Sequence, residues 1–179
     1  MDGLFKWQWA LALFGLTFCF SGLVFPWVAE QIDARAGQEV TALDITPGFS
    51  PDEAYQVLEA MGSAGRAFYQ MVELTLDVVY PVTYGLFTVI LLGLLLRSIF
   101  PGLVAWRKLA ALGFLGAAFD LLENFGIAAY ISIFPERADG LAWVISVAGV
   151  LKFALIGLGF AIAAVLLLVW GFRLLRSRL

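Results

Sequence analysis

The sequence predicts an all-α fold, a polytopic membrane four-helix bundle carrying one short amphipathic helix in its first extracytoplasmic loop. Three observations predict it. Hydrophobic residues fill 62% of 179 positions, only 14% are charged, and the mean hydropathy is +0.93, a balance that the core of a water-soluble domain cannot hide. The apolar residues fall into four long runs, each near or above the roughly 20 residues a helix needs to cross about 30 Å of hydrocarbon. No ten-residue alternation of the kind that builds a membrane β-barrel is present. The chain therefore reads as one integral membrane domain over residues 1–179, with helices at about 7–28, 71–96, 109–134 and 141–172.

The first run is expected to stay in the protein as a transmembrane helix. Its apolar stretch is long, and the one plausible small-residue cleavage position, Ala29, has Trp27 two residues before it, where a signal peptidase wants a small side chain. Its single cysteine, Cys19, can form neither an intramolecular disulfide nor a CxxC pair.

The connection at about 29–65 is the one sizeable extramembrane piece. Ser50-Pro51-Asp52-Glu53 combines a capping serine, a proline at the first helical position and a glutamate three residues after the cap. That pattern predicts a helix over about 51–61, with Ala54, Val57, Leu58 and Met61 on one side and Gly62 placed to end it. Its expected position is over the outer mouth of the bundle. Residues 37–50 show no periodicity and read as a loop.

The second run opens with a polar series. Arg66, Tyr69, Glu73, Asp77, Tyr80 and Tyr84 recur at spacings of three or four, so a continuous helix would align them in one stripe that must face protein or water. Pro81 denies a hydrogen bond to the carbonyl of Asp77, which predicts a kink or widening beside that carboxylate. The third run places Gly113, Gly116, Asp120, Glu123 and Asn124 on a shared face, the glycines permitting close helix contact and the polar cluster lying above them. The fourth run carries Lys152, which either neutralises one of these carboxylates or snorkels to the interface. Three glycines on it, Gly149, Gly157 and Gly159, suit self-association or docking to another membrane protein. Most of the tryptophans fall near helix ends, where interfacial belts place them.

Lys6, Arg97, Arg107, Lys108, Arg173, Arg176 and Arg178 border the same side of the predicted topology, while the first connection is acidic. By the positive-inside rule both termini and the 97–108 connection are cytoplasmic. The basic edges suit an anionic leaflet and imply no nucleic acid. At about 1.5 Å per residue, Asp120 lies roughly 18 Å, Glu123 roughly 22 Å, and Asp77 and Lys152 roughly 30 Å from these basic anchors. The polar groups thus occupy the outer half of the span, and the all-apolar inner halves disfavour a channel or pump.

Charges at such depth are costly and mark the working part of a membrane protein. Neighbouring carboxylates can divide the roles of general acid and general base. We therefore expect Asp77, Asp120 and Glu123 as catalytic candidates, with Arg66, Tyr69, Glu73, Tyr84, Asn124 and Lys152 as ligand-binding candidates. No histidine is present, which excludes His-ligated haem and the usual zinc sites, and an oxygen-only metal site would have to draw on Asp77, Asp120, Glu123 and Asn124. No cofactor or metal is expected. Nucleophile elbows, phosphate-cradling loops and HExxH are absent.

The ordered string Gly62-Ser-Ala-Gly65-Arg66-Ala-Phe-Tyr69, then Asp77, Pro81 and Tyr84, then Asp120-Leu-Leu-Glu123-Asn124, resembles an uncharacterised family of small, mostly bacterial four-helix membrane proteins. That resemblance implies the topology and a bacterial inner (plasma) membrane, and carries no activity. A weaker, architectural similarity links Glu73-Leu74, Pro81 and Tyr84 to the second helix of the EXPERA group of sterol isomerases and sigma-2-receptor-like proteins. The histidine of those isomerases is absent, so the similarity implies binding of a flat apolar molecule and not isomerase chemistry.

The expected function is an outward-facing polar cavity that binds a lipid-like or isoprenoid small molecule, with carboxylate acid/base chemistry available to transform it. The expected partners are membrane lipids and that hydrophobic molecule. The alternative is a non-enzymatic accessory subunit, a homo-oligomer or part of a membrane complex, in which the carboxylates form a structural network.

Overall fold

The computed structural model describes residues 6–102 and 106–176. Arg178 and the side chains of Trp106 and Arg107 lie outside the described set. The described chain is helical, and four stretches are long and apolar enough to cross a membrane: Trp7–Ala36, Gly62–Ile99, Ala111–Ile133 and Asp139–Arg176.

The first stretch comprises α1 (Trp7–Cys19), a π-helical turn (Phe20–Val24) and α2 (Phe25–Ala36). Pro26 cannot donate to a carbonyl four residues back, and the wider turn before it, in which the Phe25 N–H reaches the Phe20 carbonyl, absorbs that defect. The helix continues eight residues beyond the expected end at 28. Polar Glu30, Asp33 and Arg35 lower the hydropathy there, yet Val28 and Ile32 keep the apolar spacing and are buried. Gly37, at φ 72°, ends it in the left-handed conformation.

Residues 38–50 carry no long helix, but they are packed against the bundle. Leu43 and Phe49 are buried, Leu43–Ile45 form a single 3₁₀ turn, and the Asp33 carboxylate accepts the Val40 N–H at 2.8 Å. The helix α3 (Pro51–Ala60) starts with the expected capping box: Ser50 Oγ accepts the Glu53 N–H, and Glu53 Oε2 accepts the Ser50 N–H at 2.7 Å. The backbone and hydroxyl of Ser50 together hold the Glu53 carboxyl below its ordinary pKa of 4.5. Ala54, Leu58 and Met61 are buried, as the amphipathic pattern requires. Arg137, between the last two long helices, pins α3 through Asp52 at 2.6 Å.

Gly62, at φ 63°, turns the chain directly into α4 (Gly62–Glu73), so the second stretch begins nine residues before the expected 71. Exposed or half-exposed Ser63, Arg66 and Gln70 conceal α4 from a hydropathy reading. The helix breaks at Leu74–Thr75, where Thr75 adopts φ −129°, ψ −81° and its hydroxyl bonds the Met71 carbonyl at 2.6 Å. α5 (Leu76–Ile99) follows. The break therefore precedes Pro81 by six residues, and Pro81 itself sits within α5.

α5 is the central element, with most of residues 83–96 buried. It packs on α1, on α6 (Trp106–Ile133) and on α7 (Asp139–Arg176). Gly85 and Gly113 let α5 and α6 approach: a Cβ on Gly113 would lie 2.6 Å from the Gly85 carbonyl oxygen. Gly116 faces Ile156 of α7. The exterior is apolar, from Leu11, Phe14 and Phe18 on α1 to Val165, Leu168 and Phe172 on α7. Polar groups collect inside, an inversion of the usual soluble pattern.

Candidate functional site

The helix break at 74–75 turns Glu73 and Asp77 inward together, toward Asp120, Glu123 and Asn124 on α6 and Lys152 on α7. All six are buried, with Glu73, Glu123 and Asn124 at 0% exposure. Lys152 is the hub. Its Nζ lies 2.5 Å from Glu123 Oε2 and 3.4 Å from Asp120 Oδ1, and it donates to the backbone carbonyl of Asp44 at 2.8 Å. Of the two readings open for Lys152, the structure places the ion pair. Gly149, one turn away on α7, is what makes room for it, because a Cβ there would overlap Glu123 Oε1.

Asp120 is held from its other side, its Oδ2 accepting the Tyr84 hydroxyl at 2.8 Å. Tyr69 donates to Asp44 Oδ1 at 2.6 Å, and its oxygen in turn accepts the Asp44 N–H at 3.2 Å. These bonds fasten the 3₁₀ turn at Leu43–Ile45 over the buried carboxylates. Asn124 Nδ2 donates to the carbonyl of Asp77 at 2.5 Å. That carbonyl is the one Pro81 leaves without a helical donor, so α6 supplies the bond that α5 cannot. Thr83 and Thr88 are also buried, but each bonds its own helix four residues back.

One oxygen from each of Asp44, Glu73 and Asp77 lies within 4.8 Å of the others. Neither Glu73 oxygen has a hydrogen-bond partner among the described residues. The set thus holds five carboxylates, and Lys152 is the one cationic side chain among the described residues that touches them.

Beside this group lies a cavity of about 480 Å³, inside the range of small-molecule sites. Asp44, Asp77, Asp120, Lys152, Tyr69 and Tyr80 supply its polar lining. Its apolar walls come from Phe25, Val28 and Ile32 on the first stretch, Ile45 on the loop, Val72 on α4, and Phe153 and Ile156 on α7. Tyr80 crosses between helices, its hydroxyl 2.9 Å from Ser21 Oγ and its ring against Phe25 and Tyr84.

Among the residues singled out in the sequence, the structure brings together Tyr69, Glu73, Asp77, Tyr84, Asp120, Glu123, Asn124 and Lys152. Arg66 stands apart: its guanidinium donates to the Leu58 carbonyl at 2.7 Å and stacks 4.0 Å from the Phe134 ring centroid, clamping α3 to α4. Asp44 escaped the sequence reading, since it sits in a stretch without periodicity. The signal it did offer was an acid between Leu43 and Ile45, ahead of the Pro47-Gly48 turn. The cavity walls contributed by α2 escaped too, because those residues read as ordinary membrane-facing side chains.

Of the three α7 glycines, Gly149 meets Glu123 and Gly159 meets Thr88, so both serve internal packing. Gly157 alone of the three faces open space. No protein-family model matches this chain, and neither does any curated protein or solved structure.

Proposed function

We propose that the chain is a four-helix bundle of a bacterial inner membrane whose cavity binds a lipid-like or isoprenoid molecule by its polar end. The observation that carries this reading is the two-sided lining of the cavity, apolar along α2, α4 and α7 and acidic at Asp44, Asp77 and Asp120. Such a lining matches a molecule with a long apolar body and a head that donates hydrogen bonds. Tyr69 and Tyr80 add hydroxyls at the same end. Any reaction is proton transfer, with Asp77 and Asp120 in reach of the cavity and Tyr84 positioning Asp120.

The orientation proposed is both termini cytoplasmic, with α3 and the cavity toward the opposite face. Arg173 donates to the Ile99 carbonyl at 2.6 Å and Trp7 packs on Trp170, which gathers the start of α1 and the ends of α5 and α7, with their basic residues, at one end of the bundle. The acidic first turn of α3 lies at the other end, where Asp52 pairs with Arg137 just ahead of α7.

The test is native mass spectrometry with lipid identification on gently solubilised wild type beside Asp77→Asn/Asp120→Asn. A defined lipid or isoprenoid retained by wild type and lost from the folded variant is the expected result. A wild type that retains no specific molecule would overturn the reading. The second reading, an accessory subunit, is favoured by the exposed apolar face of α7 around Gly157. Under it, Gly157→Leu would release a stoichiometric protein partner while leaving the polar core intact.

A further inference from the structure

We propose that Asp44, Glu73 and Asp77 form a binding site for one hard divalent cation of the calcium or magnesium class. Three carboxylates close together do not by themselves make such a site. Here a second observation points to a ligand: Glu73 is completely buried, its carboxylate is aimed into the trio, and neither oxygen meets hydrogen-bond geometry among the described residues, the neighbouring Tyr69 hydroxyl giving its single proton to Asp44. Buried polar groups are paired in the great majority of cases, and a buried carboxylate without a partner is among the costliest exceptions.

Geometry agrees with an ion in that place. One oxygen from each side chain lies within 4.8 Å of the other two, so small side-chain shifts bring all three to the roughly 2.3–2.6 Å at which calcium is held. The donors are all carboxylate oxygens, the ligand set that hard divalent ions prefer over zinc or copper.

Charge argues the same way. Lys152 is already engaged with Glu123, Asp120 and the Asp44 carbonyl, so it does not reach the trio with a free valence. Arg66, one turn before Tyr69 on the same helix, is turned away to Leu58 and Phe134. The trio is accessible, because Asp44 and Asp77 line the cavity, from which water can complete the coordination shell. A cation there would join the Leu43–Ile45 turn to the ends of α4 and α5 across their break, in addition to the Tyr69 bond. The site shares Asp44 and Asp77 with the proposed lipid pocket, but no ligand in the cavity is needed to form it.

The test is isothermal titration of the full chain in detergent, stripped with chelator, against CaCl₂, MgCl₂ and MnCl₂ separately, with the thermal midpoint read in parallel. The expected result is one saturable site per chain for at least one ion and a rise in the midpoint. Binding should weaken by about tenfold or more in Glu73→Gln and in Asp44→Asn, and persist in the exposed-residue control Glu59→Gln. Should Glu73→Gln fail to fold, Asp44→Asn, at the half-buried edge of the trio, carries the test. Absence of saturable binding by folded wild type up to about 10 mM would overturn the proposal, as would undiminished binding in the folded variants. A Glu73→Gln protein more stable than wild type, with no response to any ion, would likewise overturn it by showing a cluster that holds protons only.

Discussion

Replacing Lys152 by methionine should be among the most damaging single changes in the protein, although methionine fills a similar volume. The lysine side chain is 8% exposed, Glu123 0% and Asp120 4%. Removing the cation leaves both carboxylates buried with Tyr84 as the one remaining partner of Asp120, and removes the donor to the Asp44 carbonyl. Breaking a buried pair by deleting one member costs about 3–5 kcal/mol, because the survivor stays desolvated and uncompensated. The double variant Lys152→Met/Glu123→Gln removes one of the two stranded carboxylates and leaves Asp120 with Tyr84, so it should recover part of that loss, with a coupling of about 2 kcal/mol or more. Reversible unfolding in mixed micelles, followed by helical circular dichroism, gives all four corners of the cycle. A single-variant cost below about 1 kcal/mol, or a double variant whose cost equals the sum of the singles, would refute the claim that the pair is desolvated and mutually dependent.

Gly149→Ala should destabilise by about 1–3 kcal/mol through overlap with Glu123 Oε1, whereas Gly157→Ala, with open space around it, should stay within about 0.5 kcal/mol in the same unfolding assay. Tyr69→Phe keeps the ring and removes the donor to Asp44, a bond to a charged group worth about 1.5–3 kcal/mol; amide exchange across residues 42–46 should accelerate at least about tenfold while α6 is unchanged. Ser50→Ala should cost α3 about 1 kcal/mol, seen as faster exchange over its first turn. The Glu53 half of the same capping box sets a pH window. Its carboxyl is depressed on folding, so its contribution is full above the unfolded value of 4.5 and is lost as pH falls through the lower folded value. Loss of protection in α3 centred above pH 4.5 would contradict that assignment.

Much of the polar core could be read from spacing alone, for a reason visible in its members. Glu73, Asp77, Asp120, Glu123 and Lys152 stand out because ionisable side chains inside long apolar helices have few places to go but inward. The helix α3 was equally legible, since a capping box is a local interaction among residues 50–53 that needs no tertiary partner. The beginning of the second stretch was hidden, because α4 is amphipathic and lies against α2, α3 and α6. Its exposed polar residues lower the hydropathy just where the helix begins. The break was misplaced for a related reason. Pro81 advertises a missing donor, but Asn124 from another helix repairs that defect at Asp77, while the actual break at 74–75 is favoured by the Thr75 hydroxyl competing for a backbone carbonyl.

By itself, the sequence determined that the chain is all-helical, which four segments can span a membrane, where α3 starts, and which ionisable groups must be sequestered. These follow from composition and from contacts between residues one to four positions apart. Tertiary structure alone decided that Arg66 turns to Leu58 and Phe134, that Lys152 chooses Glu123 and Asp120, that Gly149 and Gly159 pack inward, and that Asp44 descends from an unpatterned loop to meet Glu73 and Asp77. In each of these a side chain has several locally equivalent options, and the free energy that selects one comes from desolvation and pairing with residues distant in the chain.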